Sequence, residues 1–317
     1  MPPAARLVSR RALLRGAAGL AGLSALSLVG CSTGDDAAPE QVLTATDAYP
    51  DSGLLASVAW LAERIDDPNL RLIDCSPIDS YRDGHLPRAS HVWWQDTIEI
   101  NNPVYGMLTG PPMRAEIVRE TGITPDSTVV CYDDQGGQFA ARVIWMLHVQ
   151  SFFGARLLDG GRQAWQAAGH GLTGDDANPP PGAIEPIQNE SVIAHGNDIA
   201  ARLDDPNYVI LDTRTNAERE ETWFDRLRVG SIPGGRHLPR AGFLTADGYA
   251  LLPPDELRAR LSAAGVPADA PEIVVYGLHG ALACLPYVAL VALGYANVRV
   301  YDGSWAEWGA NAEWPIE

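Results

Sequence analysis

Between Ile273 and Trp305 the chain has the parts of a site that could hold an anion or a thiolate. An apolar run, Ile273-Val274-Val275-Tyr276, breaks into Gly277-Leu278-His279-Gly280-Ala281-Leu282, a helical stretch follows, and a second run, Val298 to Tyr301, ends in Asp302-Gly303-Ser304-Trp305. In a strand-loop-helix-strand unit, the loop after the first strand lies at the carboxyl end of a parallel sheet. Its backbone N–H groups and the helix N-terminus then point at the loop's centre. His279 is the one titratable group in this loop and is mostly neutral at pH 7. It reads either as a group that meets an anion or acts as a general base, or as a solvent-facing loop residue. Cys284, seven residues past Gly277, is the nearest thiol. Pro286 lacks an N–H and suits a helix's first turn. One reading therefore starts the helix late and leaves Cys284 at its N-terminus with a lowered pKa; the other makes it a buried helix cysteine.

The elements that must position this loop occur twice. Leu70 to Asp74, the turn Gly84-His85-Leu86-Pro87-Arg88-Ala89, Thr128 to Asp133 and Leu158-Asp159-Gly160-Gly161 are followed in the same order by Tyr208 to Asp212, Gly230 to Gly235, Ile273 to Gly277 and Tyr301 to Ser304. From Asp133 to Asp159 is 26 residues, and from Gly277 to Asp302 is 25. Strands alternating with amphipathic stretches such as Phe139 to His148 and Leu285 to Leu293 predict an α/β fold with helices on both faces of each sheet. Three consecutive prolines in Asp175 to Ala183 mark an extended linker between the repeats.

The segment from Val275 to Gly309, closing in Asp302-Gly303-Ser304-Trp305-Ala306-Glu307-Trp308-Gly309 and followed by Trp314-Pro315-Ile316-Glu317, resembles the catalytic domain of the rhodanese (thiosulfate sulfurtransferase) family without a gap. The resemblance implies a nucleophilic cysteine directly after the strand. Its thiolate takes the outer sulfur of thiosulfate as a persulfide and passes it to a thiophilic acceptor. In this register that position is Gly277, and the loop also lacks the Arg or Lys that the family carries beside the cysteine. Arg214, in Leu211-Asp212-Thr213-Arg214, matches the family's D-x-R motif, whose basic residue lies near the loop; a scaffold ion pair with Asp212 is the competing reading. His85 stands in a GHLPRA turn close to the family's GHIPGA, where the histidine supports the turn, and Ser231 replaces it in the second copy.

The resemblance covers nearly all of residues 55 to 317 and implies two tandem rhodanese-like domains, each a mostly parallel sheet with helices on both faces. The expected boundaries are 55–174 for the structural first copy, 175–190 for the Pro-rich linker and 191–317 for the active-type copy. Asp133 stands in the first copy where tandem sulfurtransferases typically carry an aspartate.

Residues 1–31 read as a targeting segment. Ser9-Arg10-Arg11-Ala12-Leu13-Leu14-Arg15 resembles a twin-arginine export motif, and Leu28-Val29-Gly30-Cys31 has the form of a lipobox, which makes Cys31 the expected lipidation site. Residues 32–54 then form an acidic tether. Processing removes four arginines and no acid, so the net charge moves from −17 to −21. Such an acidic chain, in which every Lys/Arg position is arginine, is a poor nucleic-acid partner. Cys75, Cys131 and Cys284 remain, an odd number without metal-ligand spacing, so no metal or other cofactor is expected. A Cys75–Cys131 disulfide stays open beside two buried thiols.

These readings lead to an exported, lipid-anchored protein on the outer face of the cytoplasmic membrane, without ordinary sulfurtransferase turnover. Its loop, Gly277 to Leu282 with Arg214, is expected to bind a small sulfur-containing anion or a protein persulfide or thiol. Two alternatives stand beside it: an active thiosulfate or 3-mercaptopyruvate sulfurtransferase using Cys284, and a structural surface protein.

Overall fold

The computed structural model describes residues 45–50, 52–185, 187–220 and 227–317. The export segment, Cys31 and most of the acidic tether lie outside them. Among the described residues no helix is long and apolar enough to cross a membrane.

Ten strands make two sheets. In the first, β1 (Leu55–Ala56), β2 (Leu70–Asp74), β3 (Ala89–His91), β4 (Thr128–Tyr132) and β5 (Ala155–Leu158) lie in the order β1-β5-β4-β2-β3. In the second, β6 (Ile193–Ala194), β7 (Tyr208–Asp212), β8 (Arg236–His237), β9 (Glu272–Tyr276) and β10 (Val298–Tyr301) repeat that order as β6-β10-β9-β7-β8. Every pairing between these strands is parallel. Residues 174–185 and 187–189, between the sheets in sequence, contain neither helix nor strand.

Parallel strands buried on both faces need apolar side chains in both directions, and the strands supply them. Ile273 and Val275 of β9 face one core, while Val274 and Tyr276 face another. The first of these cores is shared. It joins Ile73, Val129 and Leu157 of the first sheet to Leu211, Val275 and Val300 of the second. Helices Gln138–Val149 and Gly280–Ala292 pack on each other within it. The outer faces are closed separately, by Leu61 and Trp165 on the first sheet and by Ile199, Trp305 and Trp308 on the second.

The two halves also exchange loops. The amide of Leu108 donates to Asp302 Oδ2 at 2.6 Å, and the amide of Leu251 donates to Asp159 Oδ1 at 2.8 Å. Asp302 and Asp159 each follow the strand next to their sheet's edge, so each sheet end is tied to the other half by the same kind of bond. Tyr49 adds a further tie, its hydroxyl donating to the Leu252 carbonyl at 2.6 Å.

The helix after β9 begins at Gly280 and carries Pro286 in its interior. This corrects the late start considered for it. Cys284 lies a full turn inside the helix and is fully buried, with its Sγ 3.3 Å from the Gly280 carbonyl oxygen.

Candidate functional site: the Gly277 loop and its mirror

Gly277 follows β9 directly and is sewn to the closing segment of the chain. Its N–H donates to Ser304 Oγ at 3.2 Å, its carbonyl accepts from the Trp305 amide at 3.0 Å, and the Leu278 carbonyl accepts from the Ala306 amide at 2.9 Å. Ser304 adopts a positive φ of 51° that turns the chain here, and its hydroxyl donates to the Tyr301 carbonyl at 2.8 Å. The Asp302-Gly303-Ser304-Trp305 motif is thus the clamp that fixes the loop.

The interior of the loop is filled with hydrocarbon. Leu278 and Leu282 are 6% and 8% exposed and join Tyr276, Ile232, Trp305 and Trp308 in the outer core of the second sheet. A Cβ placed on Gly277 would lie 3.2 Å from Leu282 Cβ and 3.3 Å from the His279 carbonyl oxygen, closer than ordinary contact. On the other side, a Cβ on Gly280 would collide with the Asp302 carboxylate. An anion belonging to the chain therefore already stands at the positive N-terminus of the helix Gly280–Ala292.

The same place in the first half shows what such a cradle does with an anion. The Asp133 carboxylate accepts four backbone N–H groups, from Gln135 at 2.8 Å, Gly137 at 2.7 Å, Phe139 at 2.7 Å and Ala140 at 3.0 Å. Burial pushes its carboxyl upward, and the four donors pull it back.

His279 is not solvent-facing. It is 8% exposed and reaches into the first half, stacked on Trp94 at 5.1 Å with Tyr105 edge-on at 5.4 Å. Gly106 is what lets it fit, because a Cβ there would come within 2.8 Å of His279 Cβ. Burial first, then the Arg142 charge, lower its pKa to about 4. It is a neutral aromatic peg at pH 7, and its Nδ1 has no partner among the described residues.

Arg214 is completely buried and grips Asp212 with Nη2–Oδ2 at 2.7 Å and Nε–Oδ1 at 3.0 Å. It also reaches the Gly230 carbonyl at 2.7 Å, the Glu218 carbonyl at 3.5 Å and the faces of Trp305 and Tyr276 at 4.1 and 5.4 Å. Asp212 also receives the Tyr276 hydroxyl at 2.8 Å and has Arg219 at 3.3 Å. These contacts surround the guanidinium group with protein. Nearby, Arg240 pairs with Glu218 at 2.6 Å.

The thiols are closed off as well. Cys75, Cys131 and Cys284 are free and buried. Burial pushes Cys284 up to about 12, with Arg142 only partly offsetting it, and burial with the neighbouring Cys131 raises Cys75. His85 supports its turn as expected. It stacks on Tyr81 at 3.9 Å, and its ring nitrogens reach the Tyr81 and Asp175 carbonyls at 3.0 and 3.1 Å.

Sequence reasoning missed Trp94 and Tyr105, which receive His279, and the Arg142–Asp302 pair between the halves. Asp302 was visible as a motif residue. Its partner lies 160 positions away on a helix whose other residues read as core.

A repeated order of parallel strands, each central strand ending in a loop wrapped toward a helix N-terminus, defines a tandem α/β domain pair of the sulfurtransferase type. The rhodanese-like domain profile matches residues 57–168 and 196–311, and the chain belongs to the rhodanese family. The sulfur carrier protein TtuD of Thermus thermophilus is 31% identical over 282 residues, covering 85% of this chain and 97% of its own. The 3-mercaptopyruvate sulfurtransferase of Escherichia coli is 33% identical over 272 residues, covering 81% and 95%. A crystal structure of 3-mercaptopyruvate sulfotransferase from Escherichia coli superposes with a TM-score of 0.71 at 29% identity, covering 79% of this chain and 98% of that one.

Proposed function

We propose that this rhodanese-family protein carries out no ordinary sulfurtransferase turnover and works by binding a sulfur-containing anion or a protein persulfide or thiol. One observation carries the reading: where a family nucleophile would sit, Gly277 has no side chain, and a Cβ there would lie 3.2 Å from Leu282 Cβ, a tight contact. A persulfide needs a sulfur atom at that point and room beside it. The chain places no sulfur there, and among the described residues its cysteines are buried. That a relative is named a sulfur carrier protein favours a thiol or persulfide partner.

The test is a thermal melt of the mature protein with thiosulfate, sulfite and a persulfidated protein thiol, each titrated over three decades. A saturable rise in Tm with at least one supports the reading; flat curves with all three remove it.

Export and lipid anchoring rest on the twin-arginine-like and lipobox-like segments ending at Cys31. On this proposal Cys31→Ala moves the protein from the membrane fraction to the soluble fraction. Unchanged fractionation would refute the anchor.

The second reading, sulfur transfer from thiosulfate or 3-mercaptopyruvate through Cys284, is favoured by the names of the relatives and by the Arg142 charge beside the thiol. It requires the second turn of the helix Gly280–Ala292 to open, since Cys284 has no exposed surface.

A further inference from the structure

Asp159 and Asp302 hold the same place in the two halves, each the first residue after the strand next to its sheet's edge. Both are buried, and each accepts a backbone amide from the opposite half, Leu251 at 2.8 Å and Leu108 at 2.6 Å. Their neutralisation differs. Asp302 meets Arg142, the fifth residue of the helix Gln138–Val149. The fifth residue of the matching helix, Gly280–Ala292, is Cys284, and Asp159 forms no ion pair among the described residues. A carboxylate only 1% exposed and without a cation is costly to ionise.

What meets Asp159 instead comes from residues 45–50. Thr46 Oγ1 donates to its Oδ2 at 3.3 Å. Thr46 lies in the single turn Ala45–Ala48, and Tyr49 just after it is 3% exposed, joins the core shared by the two sheets and donates its hydroxyl to the Leu252 carbonyl at 2.6 Å. Residues 45–50 are thus a strap that touches the first half at Asp159 and the second at Leu252. The groups acting on the carboxylate are the amides of Leu251 and Gly160 and the Thr46 hydroxyl; its charge is felt by the Tyr49 phenol, on which Arg258 of the helix Pro254–Ala263 also acts.

We propose that Asp159 is a proton-operated latch: its neutral carboxyl closes the strap over the seam between the halves, and its ionised form loosens it. Burial outweighs the three donors and raises the Asp159 carboxyl from the ordinary 3.8 to about 6. Opening the strap returns water to the carboxyl, so the open state titrates nearer 3.8 and binds the proton less tightly. Docking is therefore strongest in acid and weakens as pH rises through about 6. Between pH 7.5 and 5 these values allow up to about a tenfold change in the ratio of docked to open strap.

The test is amide hydrogen exchange of the purified protein at pH 5 and 7.5, corrected for intrinsic rates and read at Tyr49, whose amide donates to the Thr46 carbonyl. Protection should be about three- to tenfold higher at pH 5. His279 and His148, buried neutral, destabilise the whole fold in acid, so a global change cannot mimic this result. Asp159→Asn should remove the pH dependence and show at pH 7.5 the protection that the parent shows at pH 5. Tyr49→Phe should lower protection at both pH values and leave their ratio unchanged. The proposal is overturned if the parent is equally protected at both pH values, if Asp159→Asn keeps the dependence, or if Tyr49→Phe loses it. The parent comparison decides even where a variant fails to fold.

Discussion

Nη1 of Arg142, on a helix of the first half, lies 2.6 Å from Oδ1 of Asp302, at the end of a strand of the second, and both side chains are almost fully buried. The remaining donors of Arg142 are satisfied as well, Nη2 by the Gly106 carbonyl at 2.9 Å and Nε by Thr97 Oγ1 at 3.2 Å. This one contact places an anion against the helix that follows Gly277 and neutralises it from the opposite half.

Removing one partner strands the other charge in the core. Arg142→Leu and Asp302→Asn should each destabilise the protein by about 3–5 kcal/mol, read as a lower urea midpoint at constant slope. Arg142→Leu combined with Asp302→Leu should recover much of the loss. A double variant as unstable as the sum of the singles would deny that the pair acts as a unit.

Because one core joins both sheets and the loop-exchange bonds tie their ends together, the two halves should unfold together. Fluorescence and far-ultraviolet dichroism should give coincident urea transitions. Two resolved transitions would show that the shared core contributes less than its extent suggests.

His279 makes a pH prediction whose sign is fixed. Its folded-state pKa, about 4, lies below the ordinary 6.5, so the unfolded chain binds more protons between those values. Stability from this group is present above pH 6.5 and is lost as pH falls toward 4, on the order of 3 kcal/mol at about 1.4 kcal/mol per unit. His148, depressed to about 4 by burial, acts the same way, whereas Asp159, raised to about 6, opposes them over part of the range. The difference between His279→Gln and the parent isolates the one group. It should shift in favour of the variant as pH drops from 7 to 4.5, and a pH-independent difference would contradict the buried-neutral assignment.

The thiols give a chemical test of burial. Cys75, Cys131 and Cys284 should resist a thiol-reactive chromophore in the native protein and react in denaturant. Fast native labelling of Cys284 would mean that its helix turn opens readily.

On the proposed reading, Gly277→Cys places a sulfur atom at the nucleophile position, with its Cβ tight against Leu282 Cβ at 3.2 Å. Overpacking against Leu282 should cost about 1–3 kcal/mol. Leu282→Ala in the same chain should relieve part of that cost, and a Gly277→Cys protein as stable as its parent would mean that the loop is looser than its contacts indicate.

Much of this was legible in the chain. The strand order repeats because the strand-ending motifs repeat, and the absence of a side chain at Gly277 needs no structure to see. The contents of the loop were hidden for a physical reason. Leu278 and Leu282 look like ordinary loop and helix residues until Trp305 and Trp308 fold over them. His279 looks polar until Trp94, Tyr105 and Gly106, more than 170 positions earlier, enclose it. Pro286 pointed to a late helix start, yet the burial of nearly every neighbour holds the helix together from Gly280 onward.

Without a sulfur atom at position 277, the protein should not turn over a sulfur donor. Purified protein, given thiosulfate or 3-mercaptopyruvate with cyanide, should form no thiocyanate beyond the level of a variant in which Cys75, Cys131 and Cys284 are all serine. Turnover well above that level, abolished by Cys284→Ser alone, would contradict it.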